Sequence, residues 1–268
     1  MLTDTLPFQN RYALVTGSGR GIGRAIALHL ARGGADVVVN FFRYRQPAES
    51  TVAVIRAMGR QALLIKADVG KIEAIDSMFT QIESEWGGLD ILIHNAASGY
   101  NRSALEQKPK GWDWTMNINA RALIFAAQRA VPLMQRRGGG SIVSISSPGA
   151  KRVLPDYIAV GASKAALESL TRYLAVELAP LNINVNAVSP GVVLTEALQR
   201  FDYLRRDDRM IERMTAHTPA GRLATPEDIA GVVAFLCSPA AALIRGQVIQ
   251  VDGGYSLPMP GDRRFELP

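Results

Sequence analysis

The chain is short of several residue types, and each shortage excludes something. It has one cysteine, Cys237, in 268 residues. No disulfide can form within it, and a reducing cytoplasm is the expected setting. Cys237 closes an apolar, helix-like stretch from Ile229 and reads as a core thiol. Histidine occurs three times; His29 falls in the first helical pattern and His217 in a loop-like stretch, and neither joins a ligand cluster, so no metal site is expected. No apolar run reaches about 18 residues, so no membrane span is expected. Met1 to Asn10 lacks a basic segment followed by an apolar core, so no secretory leader is read. Aromatic residues make up 7% of the chain. The arginines are dispersed, with no aromatic-rich basic cluster, which argues against a nucleic-acid interface.

What is present suits a globular α/β protein. Hydrophobic residues are 48% of the chain and glycines number 24. The formal charge is +6 and the pI about 9.7, which favours an anionic ligand or an acidic partner, with attraction that weakens in salt. Apolar, β-branched segments alternate with amphipathic ones. Strands are expected at Ala13–Thr16, Val37–Phe41, Ala62–Lys66, Ile91–His94, Ser141–Ser146, Asn184–Ser189 and Gln247–Val251. Helices are expected at Lys71–Trp86, Trp112–Arg136, Val160–Leu178 and Pro226–Leu236. Near-continuous apolar strands imply a parallel sheet covered on both faces. Right-handed crossovers then give a single-domain, Rossmann-like doubly wound sheet of about seven strands. The expected layout is an N-terminal extension (1–10), one domain (11–255) and a loose tail (256–268). No internal repeat or linker interrupts it, and Gly138-Gly139-Gly140 reads as a helix-to-strand turn.

A strand-to-helix junction reads Thr16-Gly17-Ser18-Gly19-Arg20-Gly21-Ile22-Gly23. Glycines there permit a tight turn, close approach of backbone to a pyrophosphate, and close seating of the helix. Backbone N–H groups and the helix dipole then face the phosphates, so residues 17–23 are read as binding a nicotinamide dinucleotide. The end of the second strand lacks the acid that would hold an adenosine 2′-hydroxyl. Asn40-Phe41-Phe42-Arg43-Tyr44-Arg45 stands there instead, and Asp36 lies before the expected strand. Arg20, Arg43 and Arg45 are candidate clamps on a 2′-phosphate, which predicts NADPH; a solvated loop charge is the alternative for Arg43 and Arg45. Asp68, followed by Val69, can accept from the adenine amino group or cap the helix that begins at Lys71.

The catalytic candidates are Tyr157 and Lys164, with six residues between them. Gly17, Gly21 and Gly23, Asn95-Ala96-Ala97, Asn119, Ser146-Ser147, the Tyr157/Lys164 pair and Pro190-Gly191 resemble the short-chain dehydrogenase/reductase family over about Arg11 to Gly254. Most members place the lysine four residues after the tyrosine, where this chain has Gly161. Ser147 to Lys164 keeps the common span of 17 residues, so the tyrosine is the member that has moved, by about one turn. If the helix extends back to Tyr157, both side chains share a face and the rise between them grows from about 6 Å to about 10 Å at about 1.5 Å per residue.

The Tyr-x6-Lys spacing resembles the enoyl-thioester reductases of bacterial fatty-acid synthesis. Asn95-Ala96-Ala97-Ser98-Gly99, Trp112 to Asn119, Ser144 to Ser147, Ser163 to Glu168 and Thr218 to Arg222 are similar to the type III enoyl-acyl-carrier-protein reductases (FabL). His94, where relatives usually have asparagine, Val153, where a second active-site tyrosine is expected in some of them, and Ser189-Pro190-Gly191 depart from that pattern. The resemblance implies that Tyr157 stabilises an enolate and that Lys164 bonds the nicotinamide ribose. It also implies that Ser147 or its neighbour Ser146 orients substrate, with a bond to local backbone as the alternative, that Asn119 has a structural or water-relay role, and that Asn95, Ala96, Pro190 and Gly191 lie near the cofactor. It further implies an acyl-carrier-protein or coenzyme A thioester substrate and a homotetramer. Phe201 to Met214 would be a lid over the acyl chain, its Arg205, Arg206 and Arg209 meeting an acidic carrier protein or a pantetheine phosphate; a solvated helix face is the alternative. Trp112 and Trp114 read as packing residues. A ketone or 3-ketoacyl reductase of the same fold, and a non-catalytic NADPH-sensing regulator, are the alternatives.

Overall fold

The computed structural model describes residues 6–195 and 209–257. Arg205, Arg206 and most of the expected tail therefore lie outside the described residues. Seven parallel strands form one sheet: β1 (Tyr12–Val15), β2 (Asp36–Phe41), β3 (Ala62–Lys66), β4 (Ile91–His94), β5 (Gly140–Ile145), β6 (Ile183–Pro190) and β7 (Val248–Val251). Their order is β3-β2-β1-β4-β5-β6-β7, all pairings parallel. The order reverses between β1 and β4, so the crevice outside the strands' carboxyl ends opens there. Asp36 proves to be the first residue of β2, not a residue before it. Its carboxylate takes the Gln61 amide at 2.7 Å, far from the strand's other end.

Strand alternation explains why both faces are apolar. Ala13 and Val15 of β1, with Val37 and Val39 of β2, face one core; Leu14 and Val38 face the other. The first core packs under α1 (Gly21–Arg32), α2 (Arg45–Ala57) and the late helix α8 (Pro226–Cys237), through Ile26, Leu30, Ile55 and Val233. The second packs under α3 (Ile72–Trp86), α5 (Ala122–Arg136) and α6 (Ile158–Glu177), through Ile75, Met78, Leu123, Met134 and Leu167. Each such side chain contributes about 1.5–3 kcal/mol by leaving water.

The expected helix Trp112–Arg136 is not one helix. It is α4 (Pro109–Met116), a single π turn (Asn117–Arg121) and α5. The apolar pattern does not reveal such an interruption, a single π turn set between two α-helical segments. A short helix, α7 (Met210–Ala216), follows the undescribed segment. The start of the expected tail is tied down: Ser256 is buried and the Arg152 guanidinium donates to its carbonyl. No helix among the described residues is long and apolar enough to cross a membrane.

Candidate active site

The nucleotide loop is braced from three strands. Thr16 Oγ donates to the Ile93 carbonyl at 3.2 Å and accepts the Asn95 and Ala96 amides at 3.0 Å each. Asn40 Oδ1 accepts the Gly17 amide at 3.1 Å, while its Nδ2 donates to the Ile65 and Ala67 carbonyls at 3.3 and 3.2 Å. Ser18 Oγ turns inward, donating to the Val15 carbonyl at 2.7 Å and accepting the Asn40 amide at 3.2 Å. Asn95 Nδ2 donates to the Thr16 and Gly17 carbonyls at 2.9 and 3.2 Å. Gly17 has φ +64° and so needs glycine. A Cβ on Gly23 would lie 2.4 Å from Asn95 Nδ2 and 2.5 Å from the Gly17 carbonyl. The first turn of α1 thus sits directly on the loop, and Arg20, at its N-cap, leaves that turn uncapped by any side chain.

These residues fit a dinucleotide. The clearest sign is Asp68: Oδ1 accepts the Gly70 amide at 3.0 Å, but Oδ2 is buried with no hydrogen-bond partner among the described residues. A buried bare acceptor is costly, and an adenine amino group would satisfy it. The alternative of a helix cap is corrected, since α3 starts at Ile72 with Lys71 at its N-cap. Asp68 braces the preceding turn instead, and Val69 points into the second core. Arg45 opens α2 and pairs with Glu49 at 2.7 Å in an exposed contact one helical turn away. Arg43 makes no hydrogen bond or ion pair among the described residues, and its guanidinium lies over aromatic rings. Pro190 ends β6, and Gly191 donates to the Val251 carbonyl at 2.9 Å on the same edge of the sheet.

The second group gathers where β5 ends. Ser147 Oγ lies 3.3 Å from the Tyr157 hydroxyl and accepts the Gly149 amide at 3.2 Å. Ser146, its neighbour, donates instead to the buried carboxylate of Glu168 at 2.7 Å. Tyr157 is the N-cap of α6, not its first turn, with the Gly161 amide donating to its carbonyl at 2.7 Å. The expected helical continuation back to Tyr157 therefore stops one residue short. The Tyr157 ring lies on Gly149, where a Cβ would come within 2.6 Å of Cδ1 and Cε1. Gly161 sits equally close to the Gly149 carbonyl, at 2.7 Å for a built Cβ. Burial pushes the Tyr157 phenol up, the Ser147 hydrogen bond opposing it, so the hydroxyl keeps its proton near neutrality.

Lys164 is buried and its Nζ donates to the Ile145 carbonyl at 2.6 Å. Burial pushes it down to about 8. Val160, four residues before it, is buried against Gly99 and offers no proton. Asn119 lies in the π turn. Its Nδ2 donates to the Ser98 carbonyl and to Ser163 Oγ, both at 2.9 Å, and its Oδ1 accepts the Ser98 amide at 2.9 Å. It thereby joins the loop after β4 to the turn that carries Lys164. His94 Nε2 lies 3.2 Å from the Asn119 carbonyl. A carbonyl only accepts, so Nε2 carries the proton, while Nδ1 is buried without a partner among the described residues. Burial, then the charge of Lys164, pushes His94 down to about 4.

Sequence reasoning missed Thr16, Asn40, Gly149 and Glu168 as parts of this site. Asn40 carried a signal, a polar residue ending an apolar strand. Gly149 carried none, because its importance lies in a ring from another segment.

Comparison with known proteins agrees with this geometry. A family model described as enoyl-(acyl carrier protein) reductase matches residues 17–256. The 1-cyclohexenylcarbonyl-CoA reductase of Streptomyces collinus is 38% identical over 252 residues, spanning 94% of this chain and 89% of its own. A 7α-hydroxysteroid dehydrogenase solved with NADH and 7-oxo glycochenodeoxycholic acid superposes with a TM-score of 0.88 at 32% identity, over 95% of this chain and 97% of that one. A gluconate 5-dehydrogenase from Burkholderia cenocepacia, solved with NADP and tartrate, gives 0.87 at 31%, over 96% and 99%. The paired glycine loop, buried lysine and strand-end serine on this parallel sheet make the chain an oxidoreductase of the short-chain dehydrogenase/reductase family, with similarity to its enoyl reductases.

Proposed function

We propose that the protein reduces the C=C bond of trans-2-enoyl thioesters, carried on coenzyme A or an acyl carrier protein, with NADPH. The observation that carries this reading is the Ser147–Tyr157 hydroxyl pair at 3.3 Å, formed while Val160 fills the site four residues before Lys164. In this reading the Tyr157 phenol, at the head of α6, serves an oxygen farther from the hydride-accepting carbon than a simple ketone's. The name of the Streptomyces collinus relative, a CoA-thioester reductase, points the same way.

Gly17 to Gly23 would hold the pyrophosphate, Asp68 the adenine amine, and Arg43 with Arg20 the 2′-phosphate. A dihydronicotinamide bound there would supply a hydride to the β-carbon, and a proton taken up at the α-carbon would then convert the enolate to the saturated thioester. Tyr157 donates a hydrogen bond to the thioester oxygen, where negative charge develops, and its raised phenol keeps the proton available. Ser147 orients that hydroxyl. Lys164, held on the Ile145 carbonyl, directs its remaining N–H donors toward ribose hydroxyls and supports the phenol by its charge. Asn119 and Ser163 fix the turn on which the lysine stands. An apolar acyl group finds suitable surroundings: Tyr100, Leu105, Val153, Leu154 and Ile158 are exposed on two segments joined at the Arg102–Tyr157 bridge. We also propose a homotetramer, as in many relatives.

The solved dehydrogenase neighbours favour a second reading, reduction of a ketone or 3-ketoacyl thioester, with Tyr157 as general acid to the carbonyl oxygen. The test is loss of reduced-nicotinamide absorbance with a medium-chain trans-2-enoyl thioester and its 3-keto analogue. Turnover of the enoyl compound alone is the expected result. Turnover of the ketone alone would replace the first reading with the second, and tight NADPH binding without either turnover would mark a sensor.

A further inference from the structure

We propose that Trp114 sets this protein's preference for a phosphorylated dinucleotide, by holding Arg43 ready for the adenosine 2′-phosphate. The inference rests on the NADPH reading above and adds a residue to it that lies on a different element from the clamp itself.

Arg43 stands just past the end of β2, exposed. A lone exposed arginine samples many rotamers and loses that freedom when it grips an anion. Here its guanidinium carbon lies 5.6 Å from the centre of the Trp114 ring and 5.9 Å from that of Phe42. Phe42 is its chain neighbour and is 40% exposed, so it steadies little by itself. Trp114 comes from α4 and is fixed. Its Nε1–H donates to Ser98 Oγ at 2.8 Å. Ser98 is itself gripped by Asn119, through its amide and its carbonyl at 2.9 Å each. The indole also packs on the second core.

A cation–π contact draws on the guanidinium's charge and uses up none of its N–H hydrogen bonds to oxygen, edge donors included. Those edge donors are the ones a phosphate needs for a two-point contact. That Arg43 spends none of them on other described residues, while nearby Arg45 is paired with Glu49, distinguishes the held arginine from the solvated one. Arg20 also meets an aromatic ring, its guanidinium carbon 4.8 Å from the centre of the Tyr44 ring. A neutral ribose hydroxyl gains little from a positioned cation, so the effect falls on NADP and not on NAD.

The test is calorimetric binding of NADP+ and NAD+, without turnover, to the full chain and to Arg43→Ala, Trp114→Leu, Trp114→Phe and the Arg43→Ala/Trp114→Leu double variant. Trp114→Leu should cut the ratio of NADP+ to NAD+ affinity about tenfold while NAD+ binding, which reports an intact fold, changes less than about twofold. Trp114→Phe keeps an aromatic face and should hold the ratio within about threefold of the parent. On the Arg43→Ala background, Trp114→Leu should do nothing further to the ratio. An unchanged ratio in Trp114→Leu, beside a collapsed one in Arg43→Ala, overturns the role of Trp114 and leaves the NADPH reading standing. A parent protein that binds both dinucleotides equally overturns that reading itself. Equal loss of NADP+ and NAD+ affinity in both tryptophan variants would show a purely structural tryptophan and also overturn the proposal.

Discussion

The nucleotide loop and the tyrosine segment are both built on closely packed glycines, but the glycines serve opposite ends. At Gly23 the missing Cβ makes room for backbone and for a braced amide, the Gly17 carbonyl and Asn95 Nδ2. At Gly149 it makes room for a side chain, the ring of Tyr157. The loop is over-determined: Thr16, Ser18, Asn40 and Asn95 each hold it with two or more hydrogen bonds. The tyrosine stands at a helix cap, its ring on Gly149 and its hydroxyl 3.3 Å from Ser147 Oγ. The lesson is that the glycine loop leaves little room for variation, whereas Gly149 and Gly161 leave room for the Tyr157 ring at the head of α6.

The comparison breaks most completely at the phenol. Tyr157→Phe should lower turnover of the enoyl thioester about 10²- to 10³-fold, the usual loss for one oxyanion donor, with NADPH affinity unchanged by calorimetry. A variant with full turnover would move the donor elsewhere.

The seam between the two regions is sensitive to acid. His94 is neutral in both folded and unfolded chains above its ordinary value of 6.5. Between 6.5 and about 4 only the unfolded chain binds the proton. Stability should therefore fall as pH falls through that window, by up to about 3 kcal/mol at about 1.36 kcal/mol per pH unit. Thermal melts of the parent and of His94→Asn would measure this, the variant lacking that part of the slope. Identical slopes would show that the imidazole is solvated.

In the cradle, Gly23→Ala places a methyl against backbone that cannot yield. Dinucleotide affinity should fall about 30-fold, roughly 2 kcal/mol of strain or displacement, for NADPH and NADH alike. In the tyrosine segment, Gly149→Ala pushes on a ring that can tilt. It should cost only about fivefold in turnover, about 1 kcal/mol, and leave cofactor affinity alone. If Gly149→Ala instead weakened cofactor binding, or Gly23→Ala spared it, the division between the two regions would fail.

Much of the molecule was legible in the chain. The strands came out within a residue or two of where β-branched runs placed them, because strands buried on both faces leave a continuous apolar trace. The glycine loop was legible because only glycine tolerates that turn. The order in which apolar and polar residues recur does not say where a helix will insert a π turn, so the break at Asn117–Arg121 was invisible. Asn119 read as an oddly polar mid-helix residue, and its three partners on Ser98 and Ser163 explain it. Asp68 admitted two readings because an aspartate after a strand can cap or recognise; the fold removed one by starting α3 at Ile72.

What the sequence by itself determined is the parallel doubly wound sheet and the glycine turn between β1 and α1, since alternating apolar runs and the residue types at a tight turn are written along the chain. Tertiary structure alone decided that Asp68 keeps a buried oxygen without a partner among the described residues, that Lys164 is buried on the Ile145 carbonyl, that Arg43 lies over Trp114, and that Tyr157 stands on Gly149. Those facts depend on which segments meet across the sheet, and contact between residues distant in the chain leaves no periodic mark in it.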